Sequence, residues 1–240
     1  ATAAGALERL RGEDGGEAKR QVAMVDAAGR TAAFTGSGCV AEAGSAAGEG
    51  VTTQANMMER DTVWGAMLEA YEAADGDLAE RLFAALRAAE AEGGDMRGRQ
   101  SAALLVVPAE GETWARRFDL RVEDHPDPVG ELGRLLVLAR AFEHASQGLD
   151  LVGELRYPEA MEEFDRAMEL APGDDQIAFF RATLLPTVGR PTEAREELDR
   201  IRLDEPRWGP FLWRGAKVGL GPDDPDSLQA LAPLDPEDRP

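Results

Sequence analysis

The strongest constraint on the fold is a duplication near the C-terminus. The block Tyr157-Pro158-Glu159-Ala160-Met161-Glu162-Glu163-Phe164-Asp165-Arg166-Ala167 returns 34 residues later as Pro191-Thr192-Glu193-Ala194-Arg195-Glu196-Glu197-Leu198-Asp199-Arg200-Ile201. Glu159/Glu193, Ala160/Ala194, Glu162/Glu196, Glu163/Glu197, Asp165/Asp199, Arg166/Arg200 and Pro172/Pro206 match at this one offset. Within each block the small or apolar positions fall at i, i+4 and i+7, which puts them on one face of a helix. Pro172 then stops the first helix. Such a unit cannot bury its apolar face alone and must stack on a neighbour.

A 34-residue period of paired helices resembles the tetratricopeptide repeat. Gly148 takes the small-residue position of the preceding helix in the first repeat, and Ala182 takes it in the second, where Leu185-Pro186 should end the helix early. A capping helix is expected from Trp208 to Leu220, and the Pro/Asp-rich stretch 221–240 reads as a loose tail. If the repeats hold a helix or peptide, Arg181 and Gln147 are the candidate contacts. In that reading the protein is a scaffold or peptide-binding module.

Upstream the periodicity changes. Gln21 to Asp26 and Arg30 to Thr35 flank Ala27-Ala28-Gly29 as a hairpin, and Gly50 to Gln54 is a third strand. Asp61 to Ala74 and Asp77 to Glu92 are amphipathic helices, each opened by an acidic cap, the second closed by Gly93-Gly94. Ser101 to Val107 and Trp114 to Val122 form another antiparallel pair, and Asp127-Pro128 opens a helix. Strands grouped apart from helices indicate an α+β chain.

Several segments together resemble the domain of unknown function 1028 family: Arg20 to Arg30, Ala33-Phe34-Thr35-Gly36, Gln54-Ala55-Asn56-Met57, Gly93 to Val107, and Asp119 to Pro128. The match runs in register from Gly5 to Arg140. The resemblance implies an N-terminal-nucleophile hydrolase-like domain over residues 1–140, a four-layer αββα sandwich of antiparallel sheets. Residues 141–220 would be the tetratricopeptide-like repeats. Such hydrolases cleave amides with the first residue of the mature chain, whose α-amine titrates near pH 8 and serves as the base. The block carrying that residue, with its strands, has no counterpart before Ala1. Ala1 offers no nucleophile and Thr2 begins a helix, so the chain beginning at Ala1 is expected to be inactive.

Two residues are candidates for catalysis. The Asn56 amide, just beyond a strand, could donate to an oxyanion in acyl transfer; it could equally cap the loop toward Asp61. Ser101 could donate to a tetrahedral intermediate or simply begin its strand. Gln54, Arg99, Gln100 and His125 are candidates for substrate binding, Arg99 through a bidentate grip on a carboxylate. Asp124 and His125 are adjacent, which disfavours a hydrogen-bonded dyad, and the carboxylates from Asp124 to Asp127 suit a strand-to-helix corner.

Charge and composition narrow the partners. With 46 acidic residues against 26 basic ones and a net charge of -20, the chain lacks the basic surface that phosphate backbones require. No apolar run approaches a membrane span. Cys39 is the one cysteine, and His125 and His144 are the two histidines, none with a second ligand at metal spacing. No metal or cofactor is expected. A homodimer and a cytoplasmic location are the remaining expectations, the dimer because a sheet lacking edge strands needs cover.

Overall fold

The computed structural model describes residues 1–112, 114–219 and 225–233. It divides into two compact units, Ala1–Leu135 and Leu136–Pro240, and is α+β, with helices and small antiparallel sheets.

In the first unit, α1 (Ala3–Glu13) precedes the hairpin β1 (Gln21–Val25) and β2 (Thr31–Thr35), which turns through Gly29 at φ 74°. Helix α1 lies on this hairpin and buries Ala3 and Leu7. A second hairpin, β3 (Gly44–Gly48) and β4 (Val51–Ala55), is covered by α2 (Val63–Ala73). Strand β3 was absent from the sequence expectation because Gly44-Ser45-Ala46-Ala47-Gly48 contains no β-branched or aromatic residue. Its small side chains serve a packing purpose: a Cβ on Gly44 would sit 2.4 Å from the Trp64 ring.

Helix α3 (Leu78–Ala91) begins with a capping box, in which Asp77 accepts from Ala79 and Glu80 amides while the Glu80 carboxylate accepts from the Asp77 amide. It ends at Gly93 and Gly94, both at positive φ, with the Gly94 amide donating to Ala89 O. The cap expected of Asp61 is corrected: the N-cap of α2 is Thr62, with no side-chain cap. The Thr62 hydroxyl instead donates to the Glu92 carboxylate, a charge-assisted partner stronger than a neutral one.

The third hairpin, β5 (Ala102–Val106) and β6 (Phe118–Val122), alternates as a one-sided sheet should: Leu104, Val106, Phe118 and Val122 are buried while Leu105, Asp119 and Arg121 face water. After it, Asp127 Oδ1 accepts from the Gly130 amide and Pro128 starts α4 (Pro128–Gly153).

The second unit is helical: α5 (Tyr157–Leu170), α6 (Asp175–Leu184), α7 (Pro191–Asp204) and α8 (Trp208–Ala216) follow the end of α4. The repeated blocks form α5 and α7, and the matched positions Ala160/Ala194, Phe164/Leu198 and Ala167/Ile201 are all fully buried. Gly148 explains itself here, since a Cβ would stand 3.0 Å from the Phe164 ring. Phe179 stacks on Trp208 with centroids 4.8 Å apart. Burying Phe164 and Phe179 fully contributes about 1.5–3 kcal/mol for each ring over its exposed state. His144 meets the buried Glu163 at 2.7 Å, so that carboxylate is not left without a partner.

Two expectations for this unit are corrected. The stretch 221–240 is not loose throughout: Pro225–Leu231 is helix α9, although residues 220–224 and 234–240 lie outside the described residues. Composition misled because tertiary contacts hold α9: Leu228 and Leu231 are buried, and Trp213 Nε1, Arg195 Nη1 and Arg202 Nη2 donate to Ala232 O, Ala230 O and Pro233 O. The second correction is Arg181, which is not an exposed contact residue. Its side chain is 12% exposed and meets Asp165, Glu197 and Glu193 at 2.7, 2.9 and 2.9 Å.

Candidate functional site

Gln21 opens β1 and works as a hub. Its amide nitrogen lies 2.9 Å from Ala55 O, 3.2 Å from Gly44 O and 3.1 Å from Thr35 Oγ1, so it ties the first hairpin to the second. Its oxygen accepts from Asn56 Nδ2 at 2.9 Å. Asn56 is thereby fixed by a residue 35 positions away rather than by the loop toward Asp61. One N–H of its amide is used, and the second has no partner among the described residues. Gln21 was missed from the sequence, although a polar side chain entering an apolar alternation was a usable signal.

The chain turns sharply after Asn56. Met57 takes φ 62°, a region costly for a residue with a Cβ. Neighbouring bonds hold it there: the Met57 amide donates to Val40 O at 3.1 Å, and Met57 O accepts from the Met96 amide at 2.9 Å. Met58 pairs with Asp95, and the Glu59 amide donates to Gly94 O at 3.0 Å. A short backbone ladder therefore joins the segment after Asn56 to the segment that delivers Arg97 through Ser101.

That second segment lines a cleft of about 490 Å³, with Arg97, Arg99, Gln100 and Ser101 on one side and Asp124 and Val129 on the other. The turn from α3 into β5 and the corner from β6 into α4 bring these groups together. Arg97 is committed, with Nε and Nη2 on the two oxygens of Asp95 at 2.9 and 2.6 Å. The hydrogen bond from Arg97 holds the Asp95 carboxyl below its ordinary range, and Asp95 raises the Arg97 guanidinium in return. Arg99 meets Glu90 with Nε 2.6 Å from the carboxylate. This ion pair stands between the first cleft and a second, of about 370 Å³, which Arg87 and Asp127 also line.

The remaining sequence candidates are placed apart. Gln54 lines a separate, mainly apolar pocket of about 230 Å³ with Tyr71, Leu82 and Leu104, and its oxygen accepts from Thr52 Oγ1. His125 sits at the β6–α4 corner: its Nδ1 accepts from the Asp127 amide at 3.0 Å and its own amide donates to Gln100 O at 2.9 Å. His125 therefore fixes the backbone of the cleft without lining it. Because Asp127 caps α4 at this corner, Asp127→Ala is expected to lower the stability of the first unit by about 1 kcal/mol, read by chemical denaturation.

Thr2 and Cys39 do not line the cleft, and Ser101 is the hydroxyl that does. Thr2 Oγ1 accepts from the Gly5 amide as the N-cap of α1, and the Cys39 thiol points at Arg20 O, 3.4 Å away. The cleft is thus equipped to bind and polarise a ligand, with guanidinium, amide and hydroxyl donors beside a carboxylate.

Comparison with known proteins agrees in part with the sequence resemblance. The model of the family of unknown function DUF1028 matches residues 1–132. A crystal structure of protein SPO2555 from Silicibacter pomeroyi, itself described by that family, is similar at 35% identity and a TM-score of 0.49, over 57% of this chain. The chain spans 59% of the length of that protein. No protein of curated function matches. Among the described residues, no helix is long and apolar enough to cross a membrane.

Proposed function

The chain belongs to the family of unknown function DUF1028, and from that premise we propose that its first unit is the substrate-binding part of an amide hydrolase of the N-terminal-nucleophile type. The three hairpins and their helices would contribute to a four-layer sandwich. One observation carries the reading: the Gln21–Asn56 pair, with an amide N–H that has no partner among the described residues and a strained Met57 beside it, is laddered to the cleft of Arg99, Gln100 and Ser101. Backbone strain that neighbouring bonds must hold in place is a recurrent mark of functional sites. In this reading Asn56 donates to the oxyanion, Arg99 and Gln100 hold the substrate, and Ser101 supports the tetrahedral intermediate. The attacking group in this reading is the first residue of the mature chain. The hydrolase would act as a homodimer in the cytoplasm.

The test is amide hydrolysis by protein translated from its complete reading frame. Replacing the first mature residue with alanine is expected to abolish turnover. Unchanged turnover in that variant, or a retained initiator Met in active protein, sinks the mechanism.

A second reading has one observation in its favour. If α5 to α8 are tetratricopeptide-like repeats, the cavity of about 180 Å³ lined by Leu149, Val152, Tyr157, Phe180 and Pro186 could seat an apolar side chain of a peptide.

A further inference from the structure

We propose that the cleft between the α3–β5 turn and the β6–α4 corner binds a small zwitterion with an ammonium and a carboxylate, such as a short free peptide or an amino acid. The inference depends on which charges are already spent. Arg97 is held on both oxygens of Asp95, so that pair offers little to a ligand. Arg99 is different: its shortest contact with Glu90 is through Nε, and its two terminal nitrogens donate no hydrogen bond among the described residues, which leaves them open to a carboxylate in the bidentate manner that guanidinium favours. Across the cleft, Asp124 is exposed and has no partner among the described residues. The amide of Gln100 and the hydroxyl of Ser101 are likewise uncommitted and line the same space.

The charge balance selects the ligand class. Arg97 and Arg99 face Glu90, Asp95 and Asp124, so the lining carries no excess of positive charge, within a chain of net charge -20. A plain anion would be repelled at long range and would meet Asp124 at short range. A plain cation would leave the open edge of Arg99 unanswered. A zwitterion satisfies both, its carboxylate on Arg99 and its ammonium on Asp124. The cleft, about 490 Å³, is in the size range of small-molecule sites. The ligand is a substrate or product only if the hydrolase reading holds; its binding does not depend on that.

The test is calorimetric titration of the full chain with three probes: alanyl-alanine, N-acetyl-alanyl-alanine and alanyl-alanine amide. Unblocked alanyl-alanine is expected to bind about tenfold or more tightly than either blocked form, since each block removes one charge-assisted contact. Arg99→Gln should erase the preference for the free carboxylate and keep that for the free ammonium. Asp124→Asn should do the reverse. Both side chains are exposed, and an unchanged far-ultraviolet circular dichroism spectrum verifies the fold of each variant. Failure of alanyl-alanine to bind, equal binding of all three probes, or unaltered preferences in both variants overturns the proposal. Selective binding without amide hydrolysis leaves it standing and removes the hydrolase reading; hydrolysis without selective binding does the opposite.

Discussion

Arg181→Met is expected to destabilise the helical unit by about 1–3 kcal/mol, less than the loss at a fully buried pair because Asp165 and Glu193 are more than a third exposed while Arg181 and Glu197 are not. Arg181 on α6 joins Asp165 on α5 to Glu193 and Glu197 on α7. Burial works against its charge, but the hydrogen bonds to Asp165 and Glu193 and the charge of Glu197 keep the guanidinium raised. Burial also pushes the Glu197 carboxyl up, against the pull of Arg181. Without the arginine, three carboxylates would repel one another, one of them with a side chain only 12% exposed.

This gives the variant a pH signature. With Arg181 gone, the folded-state value for Glu197 rises further above its unfolded value, so the folded state binds more protons between the two. Stability of Arg181→Met should therefore fall as pH rises through the folded-state value of Glu197, and recover on acidification toward the unfolded value near 4.3. Urea denaturation followed by Trp208 and Trp213 fluorescence reads both effects. Arg200→Met, which loses the exposed pair with Asp175 and a weaker attraction to Glu197, should cost about 0–1 kcal/mol. Equal losses in the two variants would show that the cluster contributes no more than a surface pair.

Arg181 also shows where the sequence stopped being legible. The repeat was readable because its signal is periodic: Ala160, Phe164 and Ala167 mark a buried face without reference to anything distant. The partners of Arg181 lie 12 to 16 residues away on two other helices, and nothing in the pattern separates a clamped arginine from a solvated one. Helix α9 was hidden for a related reason, since its support comes from Arg195, Arg202 and Trp213 rather than from local propensity. The same division runs through the site. Arg99, Gln100 and Ser101 are consecutive, so their shared cleft followed from adjacency, whereas Gln21 and Asn56 meet only through tertiary structure. Asp124 was demoted with His125 as part of a corner. Both stand at that corner, yet Asp124 lines the cleft while His125 is spent on the backbone of Asp127.

Asn56→Ala is expected to lower kcat for amide hydrolysis by about 100- to 1000-fold, the usual loss when one oxyanion donor is removed, in protein translated from the complete reading frame. The KM should change little, because an oxyanion exists only in the transition state and its donor adds nothing to ground-state binding. Gln21 acts through Asn56 and is a positioning residue. Gln21→Leu removes the acceptor for Asn56 Nδ2 and the donor to Gly44 O and Ala55 O. It should therefore lower stability as well as kcat, by about 1–3 kcal/mol for the unmet polar groups. Gln21→Glu separates the two roles: it keeps an acceptor for Asn56 while losing the amide donor, so kcat should recover toward the parent value more than stability does. If Asn56→Ala reduces kcat by less than about threefold while melting unchanged, Asn56 is a strut between hairpins and the oxyanion must be met elsewhere. Equal loss of kcat and stability in Gln21→Glu and Gln21→Leu would mean that the hub matters only for joining β1 to β4, and that its bond to Asn56 has no part in the chemistry.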